Sequence, residues 1–207
     1  MRTVILDYGV GNLFSLRSSL AVIGEESVIS SNKEVIARAD RIILPGVGAF
    51  KDAMEKLRAS GLVDALKEAV DRGVPLLGIC LGMQLLFDKS YEYGEHQGLG
   101  FLSGVVAPIP VKEDIKIPHM GWNALSFGEE KHPLFRYLTE GDYVYFVHSY
   151  AAVDCDDSVI ARTEYGTPVT AAVAKRNILG CQFHPEKSGE VGLKILKAFC
   201  EIKEGEL

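Results

Sequence analysis

The stretch that decides the fold is Val74-Pro75-Leu76-Leu77-Gly78-Ile79-Cys80-Leu81-Gly82-Met83-Gln84. Its first half, 74–79, is an unbroken apolar run, the pattern of a strand buried on both faces of a parallel sheet. The run breaks at a G-x-C-x-G sequence, and the apolar segment 81–87 that follows is predicted as a helix. Strand, sharp turn and helix with a nucleophilic atom at the turn make a nucleophile elbow, here with cysteine where hydrolases often carry serine. The glycines on either side permit the tight, strained backbone that such a turn needs.

Working outward, the residues before the elbow alternate strand and helix. Segments 3–6, 27–29 and 41–44 are short apolar strand candidates. Leu13, Leu16, Leu20 and Ile23 have helical spacing, and a helical pattern covers 49–72 with a break near Ser60-Gly61. Such alternation predicts a parallel sheet with helices on both faces. Beyond the elbow, 104–109, 117–125, 142–147, 159–163, 169–174 and 178–183 read as strands separated by turn residues, and 190–200 as a last helix. The expectation is an α/β fold, a central, mostly parallel sheet flanked by helices, with antiparallel strands added. No repeat, low-complexity tract or linker interrupts 1–207, so one domain is expected.

Composition narrows the function classes. Of 207 residues 47% are hydrophobic and 24% charged, the balance of an ordinary globular chain. The net charge of −6 and the lack of a Lys/Arg run argue against binding nucleic acid. No stretch approaches the roughly 20 apolar residues that span a bilayer, and no leader is read at the start, so a cytoplasmic protein is expected. Cys80, Cys155, Cys181 and Cys200 form no C-x-x-C pair, so neither a zinc site nor a disulfide framework is expected. No metal and no organic cofactor is called for.

Cys80 has two readings at this level: an activated nucleophile, or a small apolar residue at a strand end. A free thiol is only a few per cent thiolate at neutral pH, and a helix N-terminus favours the anion. The N–H of Leu81, next to the nucleophile, is a natural oxyanion donor. Gln84, one helical turn on, favours a polar pocket. The base is sought in His184-Pro185-Glu186, where an extended backbone would point residues 184 and 186 to one side, so that Glu186 can orient the imidazole. Pro45-Gly46-Val47-Gly48, after a strand and before a helix, offers backbone N–H groups to a phosphate, a carboxylate or an oxyanion; it lacks the Lys of a P-loop. His148 reads equally as structural or pocket-lining, and His96 and His132 as surface. Cys155, inside an acidic loop, reads as solvated, and Cys181 and Cys200 as packing residues.

Residues 78–84 together with His184-Pro185-Glu186 resemble the class I (triad) glutamine amidotransferases. Asp7-Tyr8-Gly9-Val10-Gly11-Asn12-Leu13, Pro45-Gly46-Val47-Gly48-Ala49-Phe50, Ile117-Pro118-His119-Met120-Gly121-Trp122-Asn123 and Gln182 through Ser188 narrow the resemblance. They are similar to the glutaminase subunits of imidazole glycerol phosphate synthase. The resemblance implies a flavodoxin-like fold and a (β/α)₈-barrel cyclase subunit as partner. It implies hydrolysis of L-glutamine to L-glutamate, with the ammonia passed on for L-histidine biosynthesis. It casts Cys80 as nucleophile, His184 as base and acid and Glu186 as orienting carboxylate. It sets glutamine against Gly48, Gln84, Ser149 and Tyr150 and puts Asn12, Met120 and Trp122 near the partner; in the chemistry expected here the oxyanion is held by the N–H of Leu81 and one from the Val47-Gly48 turn. From the residues alone, Met120-Gly121-Trp122 reads equally as core. A glutaminase serving another synthase and a cysteine peptidase or deglycase-like hydrolase are the rival readings.

Overall fold

A computed structural model describes residues 2–110, 115–128 and 130–202. The first half runs β1 (Thr3–Leu6), α1 (Leu13–Val22), β2 (Ser27–Ser30), α2 (Lys33–Ala37), β3 (Arg41–Leu44), α3 (Phe50–Ala59), α4 (Val63–Asp71), β4 (Leu76–Ile79) and α5 (Leu81–Gln84). Strands β5 (Phe87–Ser90), β6 (His96–Gln97), β7 (Leu102–Pro108), β8 (His119–Ala124) and β9 (Ser126–Phe127) follow. The chain closes with β10 (Tyr143–His148), β11 (Tyr150–Val153), β12 (Val159–Glu164), β13 (Pro168–Lys175), β14 (Ile178–Cys181) and α6 (Gly189–Glu201).

The main sheet has eight strands in the order β2-β1-β3-β4-β14-β13-β12-β9. Pairing from β2 to β14 is parallel, and β13, β12 and β9 add antiparallel strands at one side. Because strand side chains alternate, β1 sends Val4 and Leu6 into one core layer and Ile5 into the other. Phe50, Met54, Leu57 and Leu66 of α3 and α4 close the first layer. Leu16 and Leu20 of α1, with Ile195, Leu196 and Phe199 of α6, close the second. The expected strands and helices are present, within a few residues at each end.

One element is corrected. The helix expected over 81–87 stops at Gln84, and Phe87 instead opens β5, pairing with β7. Leu85, Leu86 and Phe87 are all buried, so this run has no polar face, and periodicity cannot separate helix from strand there. Strands β6, β9 and β11 and helix α2 were also not anticipated. Among the described residues no helix is long and apolar enough to cross a membrane.

Candidate active site

Cys80 sits between β4 and α5 with φ 53° and ψ −112°, a left-handed backbone that a side chain adopts only under constraint. The constraint is visible around it. The Cys80 N–H donates to the carbonyl of Cys181 on the neighbouring strand at 2.7 Å. Gly82 presses against the end of β3, where a Cβ would lie 1.9 Å from the Leu44 carbonyl oxygen. Only glycine lets the elbow and β3 approach this closely, which brings the 45–48 loop onto the same site. Tyr8 ties that loop down, its hydroxyl donating to the Pro45 carbonyl at 2.6 Å.

β4 and β14 run parallel and in register, Ile79 beside Cys181, so the chain after β14 emerges next to the elbow. There His184 is 2% exposed. Its Nδ1 lies 2.8 Å from Glu186 Oε1, and its other ring nitrogen is left for Cys80. Glu186 reaches the ring from a 3-10 turn, Pro185–Lys187, and not from the extended segment expected. The backbone of His184 is locked as well: its N–H donates to the Tyr145 carbonyl and its carbonyl accepts from Ser188 Oγ. Burial alone would pull the imidazole down, but hydrogen bonds to Cys80 and Glu186 outweigh it and raise the pKa to about 9.

A cavity of about 420 Å³ opens over these groups. Val47, Gly48, Cys80, Leu81, Gln84, Ser149, Tyr150 and His184 all line it, with Glu186 behind His184. Asn12, Met120 and Trp122 do not. Met120 and Trp122 are 63% and 52% exposed, so the core reading of that segment is set aside. The helix after Cys80 has one turn, so it contributes less of a dipole than the longer helix anticipated. Its first N–H groups, Leu81 included, still lack intrahelical partners.

All four cysteines are free and buried. Cys155 is only 5% exposed, against the solvated loop expected, because its side chain turns inward beside Thr170 of β13. Burial pushes the thiols of Cys155, Cys181 and Cys200 up, Cys200 to about 12. Of the four, Cys80 alone lines the cavity. Among the described residues no group of His, Cys, Asp or Glu is arranged to hold a metal ion.

Sequence reasoning missed several lining residues. Glu92 and Tyr93 come from the loop after β5, where no pattern marks them, and Glu92 Oε2 accepts from the Phe50 N–H at 2.6 Å. Lys187 lines the cavity, and Gln182 lies beneath, its Nε2 3.8 Å from Cys80 Sγ. Both flank His184-Pro185-Glu186, and that adjacency was the available signal.

The family model for class-I glutamine amidotransferases matches residues 4–202. The chain belongs to that family. The amidotransferase is 53% identical to the imidazole glycerol phosphate synthase subunit HisH of Lactococcus lactis subsp. lactis (strain IL1403), covering 97% of this chain and 98% of the relative. Identity to the protein of the same name from Aquifex aeolicus (strain VF5) is 49%, over 96% of each. A solved structure described as a glutamine amidotransferase matches the amidotransferase with a TM-score of 0.73 at 21% identity, covering 95% of this chain and 98% of the other. PurLQS from Thermotoga maritima matches with the same TM-score at 22% identity, covering 96% of this chain and 97% of the other. At such identities the two structures speak for the fold alone, and the fold is that of the class I amidotransferases.

Proposed function

We propose that this amidotransferase is the glutaminase subunit of an imidazole glycerol phosphate synthase. It hydrolyses L-glutamine to L-glutamate and ammonia and hands the ammonia to a (β/α)₈-barrel cyclase subunit for L-histidine biosynthesis in the cytoplasm. The observation that carries the chemistry is the buried His184–Glu186 pair facing the strained Cys80 across one cavity.

Cys80 Sγ attacks the side-chain amide carbon of glutamine, forming a C–S bond and an oxyanion. The N–H of Leu81 and one from the Val47-Gly48 turn hold that oxyanion, each such donor being worth about 10²- to 10³-fold in rate. His184, protonated on the nitrogen facing the substrate, gives its proton to the departing nitrogen. The C–N bond breaks and ammonia leaves. His184 then takes a proton from water, whose oxygen attacks the thioester. The C–S bond breaks, the new carboxyl group sheds its proton to solvent as glutamate leaves, and the Cys80 thiolate is restored beside the His184 imidazolium. Glu186 holds Nδ1–H throughout and balances the imidazolium charge. Gln84, Ser149 and Tyr150 supply polar groups to the substrate's amino-acid end. The Glu92 carboxylate adds a negative charge suited to its ammonium.

Free ammonia is mostly protonated at neutral pH and a poor nucleophile, so delivery inside a complex suits the chemistry. Exposed apolar Met120 and Trp122, with Asn12, are the surface we assign to the cyclase. The test is glutamate release from glutamine by the chain alone and with the cyclase plus its ribonucleotide substrate. Strong stimulation by the full mixture is expected, and Cys80→Ala should silence it while an ammonia-fed cyclase keeps working. No glutamate under any condition would refute the reading and move weight to another hydrolase.

A further inference from the structure

Beneath the nucleophile lies a buried amide that the proposed chemistry does not use. Gln182 follows β14 directly and is fully buried. Its backbone N–H donates to the Ala171 carbonyl at 2.9 Å, and the carbonyl of the preceding Cys181 accepts from the Cys80 N–H. The backbone here therefore grips the elbow, and the side chain runs on under it. Gln182 Oε1 lies 3.0 Å from Gln84 Nε2, and Gln182 Nε2 lies 3.8 Å from Cys80 Sγ. Gln84 Nε2 lies 3.0 Å from the Tyr150 carbonyl oxygen as well.

Counting hydrogens fixes which end of Gln182 meets the sulfur. A backbone carbonyl only accepts, so the Gln84 atom facing Tyr150 is its NH₂ group. One hydrogen of that group goes to the carbonyl and the other to the adjacent atom of Gln182, which must be the oxygen. The end of Gln182 aimed at Cys80 is therefore an NH₂ donor. Among the described residues Cys80 Sγ is its partner, and a buried N–H left unmet is costly. The sulfur thus has two neighbours of opposite preference. The Val147 carbonyl, at 3.9 Å, can receive an S–H and favours the thiol. The Gln182 N–H favours the thiolate, whose full charge makes it the better acceptor.

We propose that Gln182 is a catalytic residue of the amidotransferase: its Nε2–H donates to Cys80 Sγ and favours the thiolate, both as it attacks the amide carbon and as the C–S electron pair returns to sulfur in the second step. The benefit to turnover rests on the glutaminase function proposed above; the effect on the sulfur does not.

Alkylation by iodoacetamide reads the thiolate without glutamine: Sγ bonds to the methylene carbon and iodide leaves. Of the four cysteines Cys80 alone lines the cavity, and Cys80→Ala gives the background from the rest. Gln182→Met keeps the length of the side chain and removes the donor. The titratable groups facing the sulfur stay as they are: His184 with Glu186 behind it, Tyr8, and His148, Glu92 and Lys187 along the cavity. The acid limb of the rate-against-pH profile is expected about half to one pH unit higher in the variant. On that limb alkylation should be about two- to threefold slower. On the alkaline plateau it should be about two- to threefold faster, because a more basic thiolate is more nucleophilic. An unmoved profile overturns the proposal, and so does one scaled by a single factor at every pH, as loosened packing would give. A second measurement needs no change at Gln182 and decides the matter if the variant unfolds. In the parent chain a Gln182 side-chain N–H resonance should move as pH crosses the limb, and it should stay still in Cys80→Ala. A resonance indifferent to Cys80 overturns the proposal too. If the parent chain releases no glutamate with its cyclase, the proposed function fails, and alkylation and the resonance still decide the role of Gln182.

Discussion

Replacing Glu186 with glutamine isolates the charge from the geometry of the His184–Glu186 contact. The side chains lie 2.8 Å apart and are 3% and 2% exposed. Glutamine is nearly isosteric and keeps an oxygen to accept the Nδ1–H, so the ring orientation survives while the negative charge goes. In the parent chain the hydrogen bonds to Cys80 and Glu186 overcome burial and lift the imidazole to about 9. A carboxylate this close typically supplies about 1 to 3 units of such a rise, at about 1.4 kcal/mol each. Glu186→Gln should therefore return His184 to roughly 6 to 8. Expulsion of ammonia needs the imidazolium, so kcat/KM at about pH 8 should fall roughly 2- to 90-fold, the ratio of the protonated fractions. The assay is glutamate release by the complex with its cyclase, scanned over roughly pH 6 to 10. The parent profile should fall on its alkaline side near 9, and the variant's alkaline limb should lie at least about one unit lower. A variant whose limb stays near 9 refutes this electrostatic account, and so does a slower rate with an unmoved profile.

The same histidine makes stability depend on pH. Because its folded pKa lies above its ordinary 6.5, its contribution is fully present below about 6.5 and is lost as pH rises through about 9. The thermal midpoint of the parent chain should decline over that window more steeply than that of Glu186→Gln; parallel slopes in a calorimetric scan would contradict it. Cys80→Gly should melt higher than Cys80→Ala, both inactive, because glycine accepts φ 53° at little cost and alanine retains about 1 to 3 kcal/mol of strain. Identical midpoints would mean that the elbow is not strained. Gly82→Ala should lose about 3 kcal/mol or more in chemical denaturation, since its Cβ would fall 1.9 Å from the Leu44 carbonyl oxygen. A loss below about 1 kcal/mol would show that β3 and the elbow can separate freely.

Local signals were legible because they depend on neighbours in sequence. The β-α alternation of the first half and the G-x-C-x-G turn were readable in this way. The Pro185 bias on His184 was too, and the structure keeps that residue extended. Where burial overrides local pattern the reading failed. The run 85–87 is apolar all round, so nothing in it distinguishes the helix expected from the strand that β7 imposes on Phe87. Cys155 sits among acidic residues yet is covered by β13, and Glu92 enters the cavity from a loop whose path no periodicity describes.

What the sequence determined by itself was the chemistry at hand: a cysteine at a strained turn, a histidine with a carboxylate two residues on, and glycines where backbones must meet. What only the tertiary structure decided was that these parts face one another. Parallel strands need a long crossover between them, and local pattern does not say which strands will become neighbours. β4 and β14 pair in register, which sets the end of each strand beside the other and places His184 against Cys80. The contact between His119 and His148 was hidden for the same reason: it joins β8 to β10 and exists only once those strands have paired.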